Sequence, residues 1–254
     1  MPARKAIITT RLTLSREEVA WECRKDTNCE CGQTSSSQGF KQKVEEIYSS
    51  LAWTSAIEYY TAAKLIEHGD ILPALSGLAA RFSNNAMGRY LAGVRKNHIH
   101  AGLCWFSRTH RRKPLVYTAH PFSWAACIGP VTFPTPMKNR MVYVEFIDGH
   151  CSTKGPNPFG AVSHGFIKLR GRLIRGEHRR IACCYPDTAN FNEARIRNSG
   201  EAYFLPVWGE NTLVLVEKRP GVYRRMGLVV DGSCEPDNHS PIQNFDQISE
   251  IMVE

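Results

Sequence analysis

Long apolar runs are missing from this chain of 254 residues. No stretch of about 18 apolar residues occurs, which is roughly the length that a helix needs to cross a bilayer. The opening residues 1–5 (MPARK) are followed by no apolar region of the kind that a secretory signal contains. We therefore expect no membrane span, no secretion and no membrane partner, and we expect the protein in the cytoplasm, with the nucleus as the other compartment.

Paired cysteine motifs are also missing. The chain has nine cysteines, an odd number, and without a secretory signal they are expected to be thiols. Cys23, Cys29 and Cys31 form C-x5-C-x-C, which lacks the C-x2-C unit of structural zinc sites. A fourth ligand would have to come from afar, the candidates being His68, His110 and Cys234. We therefore predict loop or partly buried thiols here, no metal-ligating or cofactor-binding residue, and no cofactor.

A catalytic signature is equally scarce. Residues 155–161 have the glycine spacing of a phosphate loop but lack the lysine and hydroxyl that hold phosphate and magnesium. Cys151 could serve as a nucleophile with His150 or His164 as its base, which makes a cysteine-dependent hydrolase one alternative. Adjacent side chains rarely aim at each other, and residues 148–160 are rich in Gly and Pro, so a connecting loop is the preferred interpretation. We predict no catalytic residue and no enzyme.

Charge is unbalanced toward the positive, with a formal net charge of +8. Basic residues cluster at 108–113, 168–180 and 218–225, which permits an acidic partner without identifying one. In residues 166–173 the cations alternate with apolar residues, so they are expected on one face of a strand. A solvated sheet face is the preferred interpretation. A basic module that binds nucleic acid or another polyanion is the alternative, and it rests on charge alone.

Helical spacing dominates the first half. The chain is 43% hydrophobic and 22% charged, as is ordinary for globular proteins, so it can bury a core. We predict three helices packed as a bundle, over residues 40–65, from Asp70 to about residue 82, and over residues 87–105. Gly77 inside the second helix indicates the close approach of another element. The predicted core residues are Leu75, Leu78, Leu91, Val94 and Trp105.

Alternating patterns follow Pro114. We predict strands over residues 142–146, 166–175, 202–208 and 212–216, with Pro220-Gly221 turning a hairpin that spans residues 212–231. The expected fold class is α+β, a helical bundle followed by a mainly antiparallel sheet or half-open barrel. The predicted domain organisation is an irregular cysteine-containing segment 1–38, a helical region 39–113, a β region 114–233 and a polar tail 234–254. The tail is expected to be loosely attached, although its residues Ile248, Ile251 and Val253 could dock.

Several short segments stand in an order that resembles one known family. They are Trp53 in a helix, residues 70–79 (DILPALSGLA), 90–93 (YLAG) and 103–105 (LCW), flanked by residues 21–32 (WECRKDTNCECG) and 121–126 (PFSWAA). The order resembles the helical C-terminal part of fungal heterokaryon-incompatibility (HET) domain proteins. The three signature motifs of that family, which precede this part, do not occur in the chain.

The resemblance implies a fungal intracellular protein of nonself recognition, the response to cell fusion that ends in growth arrest or programmed cell death. Such proteins look like signalling switches rather than metabolic enzymes. Without the signature motifs, the chain is expected to be a fragment or accessory part that is non-catalytic by itself and has protein partners. We also expect self-association through exposed apolar surface, with residues 4–14 as its most exposed edge.

Overall fold

The computed structural model describes residues 11–14, 19–22, 27–29, 50–63, 67–83, 85–109, 111–134, 141–176, 184–188, 202–230 and 248–254. It divides into two compact units, Met1–Ala56 and Ile57–Glu254. The described part is an α+β protein with three α-helices and a mainly antiparallel, open sheet, which confirms the predicted fold class at that level. No helix in these ranges has both the length and the apolar character needed to cross a membrane.

The first unit contains a small antiparallel meander. Its strands are β1 (Arg11–Leu14), β2 (Val19–Glu22) and β3 (Thr27–Cys29), paired in that order. They run through the segment that we expected to be irregular. The side chains of the cysteine cluster lie outside the described residues, and so does the apolar edge at residues 4–14 apart from the backbone of β1. The predictions made on them therefore stay predictions.

Two of the predicted helices are present. Helix α1 (Ser50–Ala62) lies within the first predicted range, whose residues 40–49 and 64–65 are outside the described part of the chain. Helix α2 (Ile71–Arg81) begins directly after Asp70, as predicted, with Pro73 in its first turn, where a missing N–H is tolerated. Its buried face consists of Ile71, Leu72, Leu75, Leu78 and Ala79.

The prediction of a third helix over residues 87–105 is wrong. Strands β4 (Tyr90–Leu91) and β5 (Val94–Arg95) form a short hairpin there, and helix α3 covers only Ile99–Leu103. The hairpin turn needs positive φ at both central residues, 47° at Ala92 and 97° at Gly93, and such angles are incompatible with a helix.

Packing explains why the helical spacing misled. Leu91 and Val94 are both fully buried, so the spacing indicated burial correctly and the element wrongly. A Cβ at Gly93 would clash with the indole nitrogen of Trp124, so this tertiary contact excludes any residue other than glycine at position 93. Helix α3 packs against the sheet, at β10 (Ala202–Trp208). A bundle with a long third helix is therefore absent from the described residues.

An open sheet of eight strands forms the second half. Seven of them lie side by side in the order β6 (Val144–Thr153), β7 (Val162–Arg172), β13 (Ile248–Val253), β12 (Val222–Val229), β11 (Asn211–Arg219), β10 (Ala202–Trp208) and β8 (Ile174–Gly176), and β9 (Cys184–Pro186) pairs with β12. All pairs are antiparallel except β12 with β13. The predicted hairpin around Pro220-Gly221 is confirmed by the pairing of β11 with β12.

Strand β13 corrects the prediction of a loosely attached tail. It lies between β7 and β12, in the middle of the sheet. Ile251 and Val253 are buried, as their apolar character allowed, whereas Ile248 is 73% exposed at the start of the strand.

The main core lies between the sheet and the segment that carries the hairpin and α3. Leu91, Val94, Ile99 and Leu103 supply one side of it, and apolar residues of β7, β10, β11 and β13 supply the other. All five residues that we predicted as core are buried: Leu75, Leu78, Leu91, Val94 and Trp105.

Two neighbouring positions in α2 should respond in opposite directions. Gly77 is exposed, and a Cβ there would meet nothing within 4 Å, so the predicted close approach of another element is wrong. We expect Gly77→Ala to raise the free energy of unfolding by about 0.5–1 kcal/mol, because alanine restricts the unfolded chain. Leu78→Ala should lower it by about 2–5 kcal/mol through lost burial. Urea unfolding of both variants checks the pair, and a stabilising Leu78→Ala would contradict the core assignment.

Candidate functional site

Trp105 is the centre of the most unusual group of side chains in the second unit. It follows α3, is fully buried, and its Nε1 donates a hydrogen bond of 3.0 Å to the carbonyl of Phe122. The guanidinium carbon of Arg225 lies 3.6 Å from the centre of its ring, and that of Arg111 lies 5.0 Å away. Both arginines are 1% exposed, so two cations contact one indole inside the protein.

Arg225 uses all three of its nitrogen atoms. Nε lies 3.2 and 3.1 Å from the two carboxylate oxygens of Asp187, and Nη1 and Nη2 donate to the carbonyls of Leu103 and Trp105. Burial raises the pKa of Asp187, and the attraction of Arg225 opposes that rise. A buried charge is costly unless it is paired and hydrogen-bonded, and this arrangement meets both conditions.

Arg111 is held by carbonyl oxygens. Nη2 donates to the carbonyls of Trp124 and Cys127, at the end of the 3₁₀ turn Trp124–Ala126, where carbonyl groups lack helical partners. Its Nε and Nη1 find no hydrogen-bond partner within the described ranges. Burial lowers the pKa of Arg111 to about 10, which still leaves it protonated at neutral pH.

A cleft of about 310 Å³ opens beside the Arg225–Asp187 pair. Residues 113–119 line it along one stretch of chain, and residues 224–226 of β12 line it along another. Cys127 and Asp187 also contribute. The segment that leads into the cleft is anchored by two hydrogen bonds between the backbones of Arg112 and Ile128, at 3.2 and 2.8 Å.

The cleft carries positive charge. The cleft is lined by three cations, Lys113, Arg224 and Arg225, and by one carboxylate, Asp187. Asp187 forms an ion pair with Arg225. Lys113 is exposed and Arg224 half-buried, and neither forms an ion pair with a described carboxylate. Among the described residues, two cations that line the cleft therefore lack an ion-pair partner.

Apolar side chains stand beside these cations. Leu115, Val116 and Tyr117 follow one another on the lining segment and are 106%, 54% and 40% exposed. Single exposed apolar residues are ordinary, but three in succession beside a cleft indicate a contact surface. Within the described part of the chain, the cleft thus combines cations that form no ion pair with an exposed apolar segment.

The alternative catalytic residues are separated by the sheet. Cys151 packs toward the core, and burial raises the pKa of its thiol to about 12. His150 and His164 are exposed, and their Nε2 atoms lie 2.9 and 3.0 Å from the hydroxyl of Ser152. Adjacent residues on a strand face opposite sides, which separates Cys151 from His150. Our sequence reasoning missed Ser152, because only the pairing of β6 with β7 brings His164 beside it.

Of the candidate metal ligands, only His68 has a described side chain. Among the described residues, no group of three or more His, Cys, Asp or Glu side chains could hold a metal ion. His68 lies in the 3₁₀ turn before α2, and His110 and Cys234 lie outside the described ranges.

Two cations of β7 are paired with acidic residues of neighbouring strands. Ile167 and Leu169 are buried, and Lys168 and Arg170, which alternate with them, point away, as the alternation predicted. Lys168 lies 2.6 Å from Glu250 of β13. Arg170 lies 2.9 Å from Glu145 and 2.8 Å from Glu250, so these two cations are already paired.

Three of the segments that carry the family resemblance, residues 90–93, 103–105 and 121–126, meet in space. Ser123 and Trp124, in the segment PFSWAA, donate to the carbonyls of Ala92 and Gly93, in the segment YLAG, the second over 3.2 Å. Trp105, in the segment LCW, donates to the carbonyl of Phe122. Arg95, which follows the segment YLAG, donates to the carbonyl of Ala79, at the end of residues 70–79. Comparison with known proteins adds no relative: no family model matches the chain, and no curated protein or solved structure is significantly similar to it.

Removing the guanidinium of Arg225 should be strongly destabilising. Arg225→Leu leaves the Asp187 carboxylate buried without its partner and two carbonyls without donors, so we expect unfolding free energy to fall by about 3–5 kcal/mol. Urea denaturation followed by circular dichroism measures this. Arg170→Leu is the matched control, because its exposed ion pairs should contribute little. Equal effects of the two substitutions would contradict the role given to Arg225.

Stability should also decline on mild acidification. Burial lowers the pKa of His98, His100 and His120 below the ordinary value of 6.5. As the pH falls, these histidines are therefore protonated in the unfolded chain before they are protonated in the folded one. Their contribution to the free energy of unfolding, which is present above pH 6.5, is lost as pH falls through the lower folded pKa values.

His100 offers the cleanest test of this dependence, because its ring packs 5.5 Å from that of Trp208. We expect His100→Gln to reduce the loss of stability between pH 7.5 and pH 5.5 relative to the parent, as measured by urea midpoints. His150→Gln, at an exposed position, is the control. If the urea midpoint of His100→Gln changed with pH as much as that of the parent, the prediction would be wrong.

Proposed function

We propose that this chain is a non-catalytic accessory part of a heterokaryon-incompatibility-type signalling protein. It acts in the fungal cytoplasm, in nonself recognition that leads to cell death, and it works by binding a protein partner. The observation that carries the proposal is the convergence of three of the resembling segments, residues 90–93, 103–105 and 121–126, which are joined by buried hydrogen bonds.

Residue types matter in this convergence. Gly93 has a φ of 97° and lies against Trp124, so a side chain there would be strained and would clash. The indoles of Trp105 and Trp124 each donate to a carbonyl of another segment, which a phenyl ring would not do. Gly93, Trp105 and Trp124, which belong to the resembling segments, are therefore residues that this fold requires. This supports a shared fold rather than a chance match.

The character of the cleft supports binding rather than catalysis. Its described lining combines two unpaired cations with exposed apolar residues, the composition of a contact surface. Burial raises the pKa of the Cys127 thiol in it, which disfavours the thiolate that a nucleophile requires. The polyanion alternative has less support, because Lys168 and Arg170 are paired with acidic residues.

Expression in a filamentous fungus tests the proposal. The chain is induced alone, or together with a signature domain of a heterokaryon-incompatibility protein of the same fungus, and dead compartments are counted with a vital stain. We expect more death in the co-expressing strain than with either protein alone. Trp105→Ala, which removes the centre of the packed unit, is the control and should abolish the increase. Equal death in all strains would show that the chain takes no part in such a response.

A further inference from the structure

We infer that the cleft beside Arg225 binds a short segment of a protein partner that combines acidic and apolar side chains. The inference rests on the proposed function in one respect, namely that this cleft is the recognition site. It goes further by naming the chemistry of the partner.

The charge of the cleft selects an acidic occupant. Lys113 and Arg224 line it, and neither forms an ion pair with a described carboxylate. The single lining carboxylate, Asp187, is paired with Arg225 and also interacts electrostatically with Arg224. Arg111 lies close enough to interact electrostatically with Asp187 and adds positive potential behind it. A carboxylate of the partner would find two unpaired cations, whereas a lysine or arginine would be repelled.

The contrast with other basic positions supports this selection. Lys218 and Arg219 lie 3.3 and 3.6 Å from Glu254, and Lys168 and Arg170 of β7 are paired across the sheet. At those positions the protein supplies its own acidic groups. At the cleft, within the described residues, Lys113 and Arg224 are left for an acidic group from outside.

The apolar part of the occupant is set by the lining segment. Leu115 and Val116 extend their side chains into solvent, and Tyr117, Pro121 and Met226 line the same cleft. An apolar side chain inserted there would be removed from water on several sides, which is favourable by about 25 cal/mol per Å² of apolar surface buried. An occupant that was only acidic would leave this surface exposed.

The volume favours a short segment over a large apolar ligand. At about 310 Å³, the cleft is at the lower end of small-molecule pockets, which span about 300–1,000 Å³. It has room for one or two side chains of a partner. The remaining contacts would be made along the exposed residues 115–117, in the manner of an extended peptide on a surface.

Selection from a library of random short peptides tests the inference. The full chain is immobilised and bound peptides are enriched and sequenced. The enriched peptides, labelled with fluorescein, are then titrated with the parent and with Lys113→Glu/Arg224→Glu by fluorescence anisotropy. We expect peptides that combine Asp or Glu with apolar residues, and a dissociation constant raised at least about tenfold in the double variant.

Matched variants separate the contributions. Lys96→Glu/Arg175→Glu changes net charge equally at exposed positions that do not line the cleft, and it should bind as the parent does. Leu115→Ser should weaken binding through the apolar contact. Unchanged urea midpoints of all variants show that the fold is retained. A single-stranded RNA is titrated in parallel, and RNA binding that the double variant abolishes, without peptide binding, would overturn the inference.

The remaining outcomes distinguish the inference from the function on which it rests. Peptides that need Leu115 but carry no acidic residue, and that bind Lys113→Glu/Arg224→Glu normally, would keep the cleft as a recognition site and overturn the acidic partner. Enrichment of no peptide, or only of peptides insensitive to every cleft variant, would remove both the recognition site and the inference.

Discussion

The contact between Arg225 and Trp105 determines how the second unit is held together. Arg225 belongs to a central strand of the sheet, and its guanidinium binds the two carbonyls at the end of α3 while its charge is matched by Asp187. A buried guanidinium has few alternative positions, because each lost hydrogen bond would leave an unsatisfied polar group. The backbone of Asp187 is fixed in turn, since its N–H donates 2.9 Å to the carbonyl of Met226. The walls of the cleft follow from these constraints.

The elements that local sequence determines were predicted well. Strand β10 (Ala202–Trp208) has the predicted bounds, because it is a run of apolar and aromatic residues that is buried on both faces. Helix α2 buries Leu75 and Leu78 as predicted, because its apolar residues recur with the helical period. The failures have tertiary causes. The turn at Gly93 is imposed by its contact with Trp124, and β13 acquires its central position from β7 and β12, which are distant in sequence.

The cleft could not be predicted, because it is assembled from segments far apart in the chain. Its two arginine-rich pieces were assigned to basic surface clusters at residues 108–113 and 218–225, yet Arg111 and Arg225 are buried. One signal was available for the second. Arg225 shares the buried face of β12 with Tyr223 and Gly227, two residues away on either side, so the period of two indicated that it would be buried. For Arg111, in a segment without regular structure, no such period exists.

The position of β13 has a consequence for the folding rate. The hairpins β6–β7 and β11–β12 pair residues that are near in sequence, so each can form early. They share no edge with each other, because β13 lies between β7 and β12. Joining them requires closing a loop such as the one between Arg170 and Glu250, which are 80 residues apart, and the entropy of that closure is lost before any hydrogen bond of β13 compensates it. We therefore expect the insertion of β13 between the two halves of the sheet to be the slow step of folding.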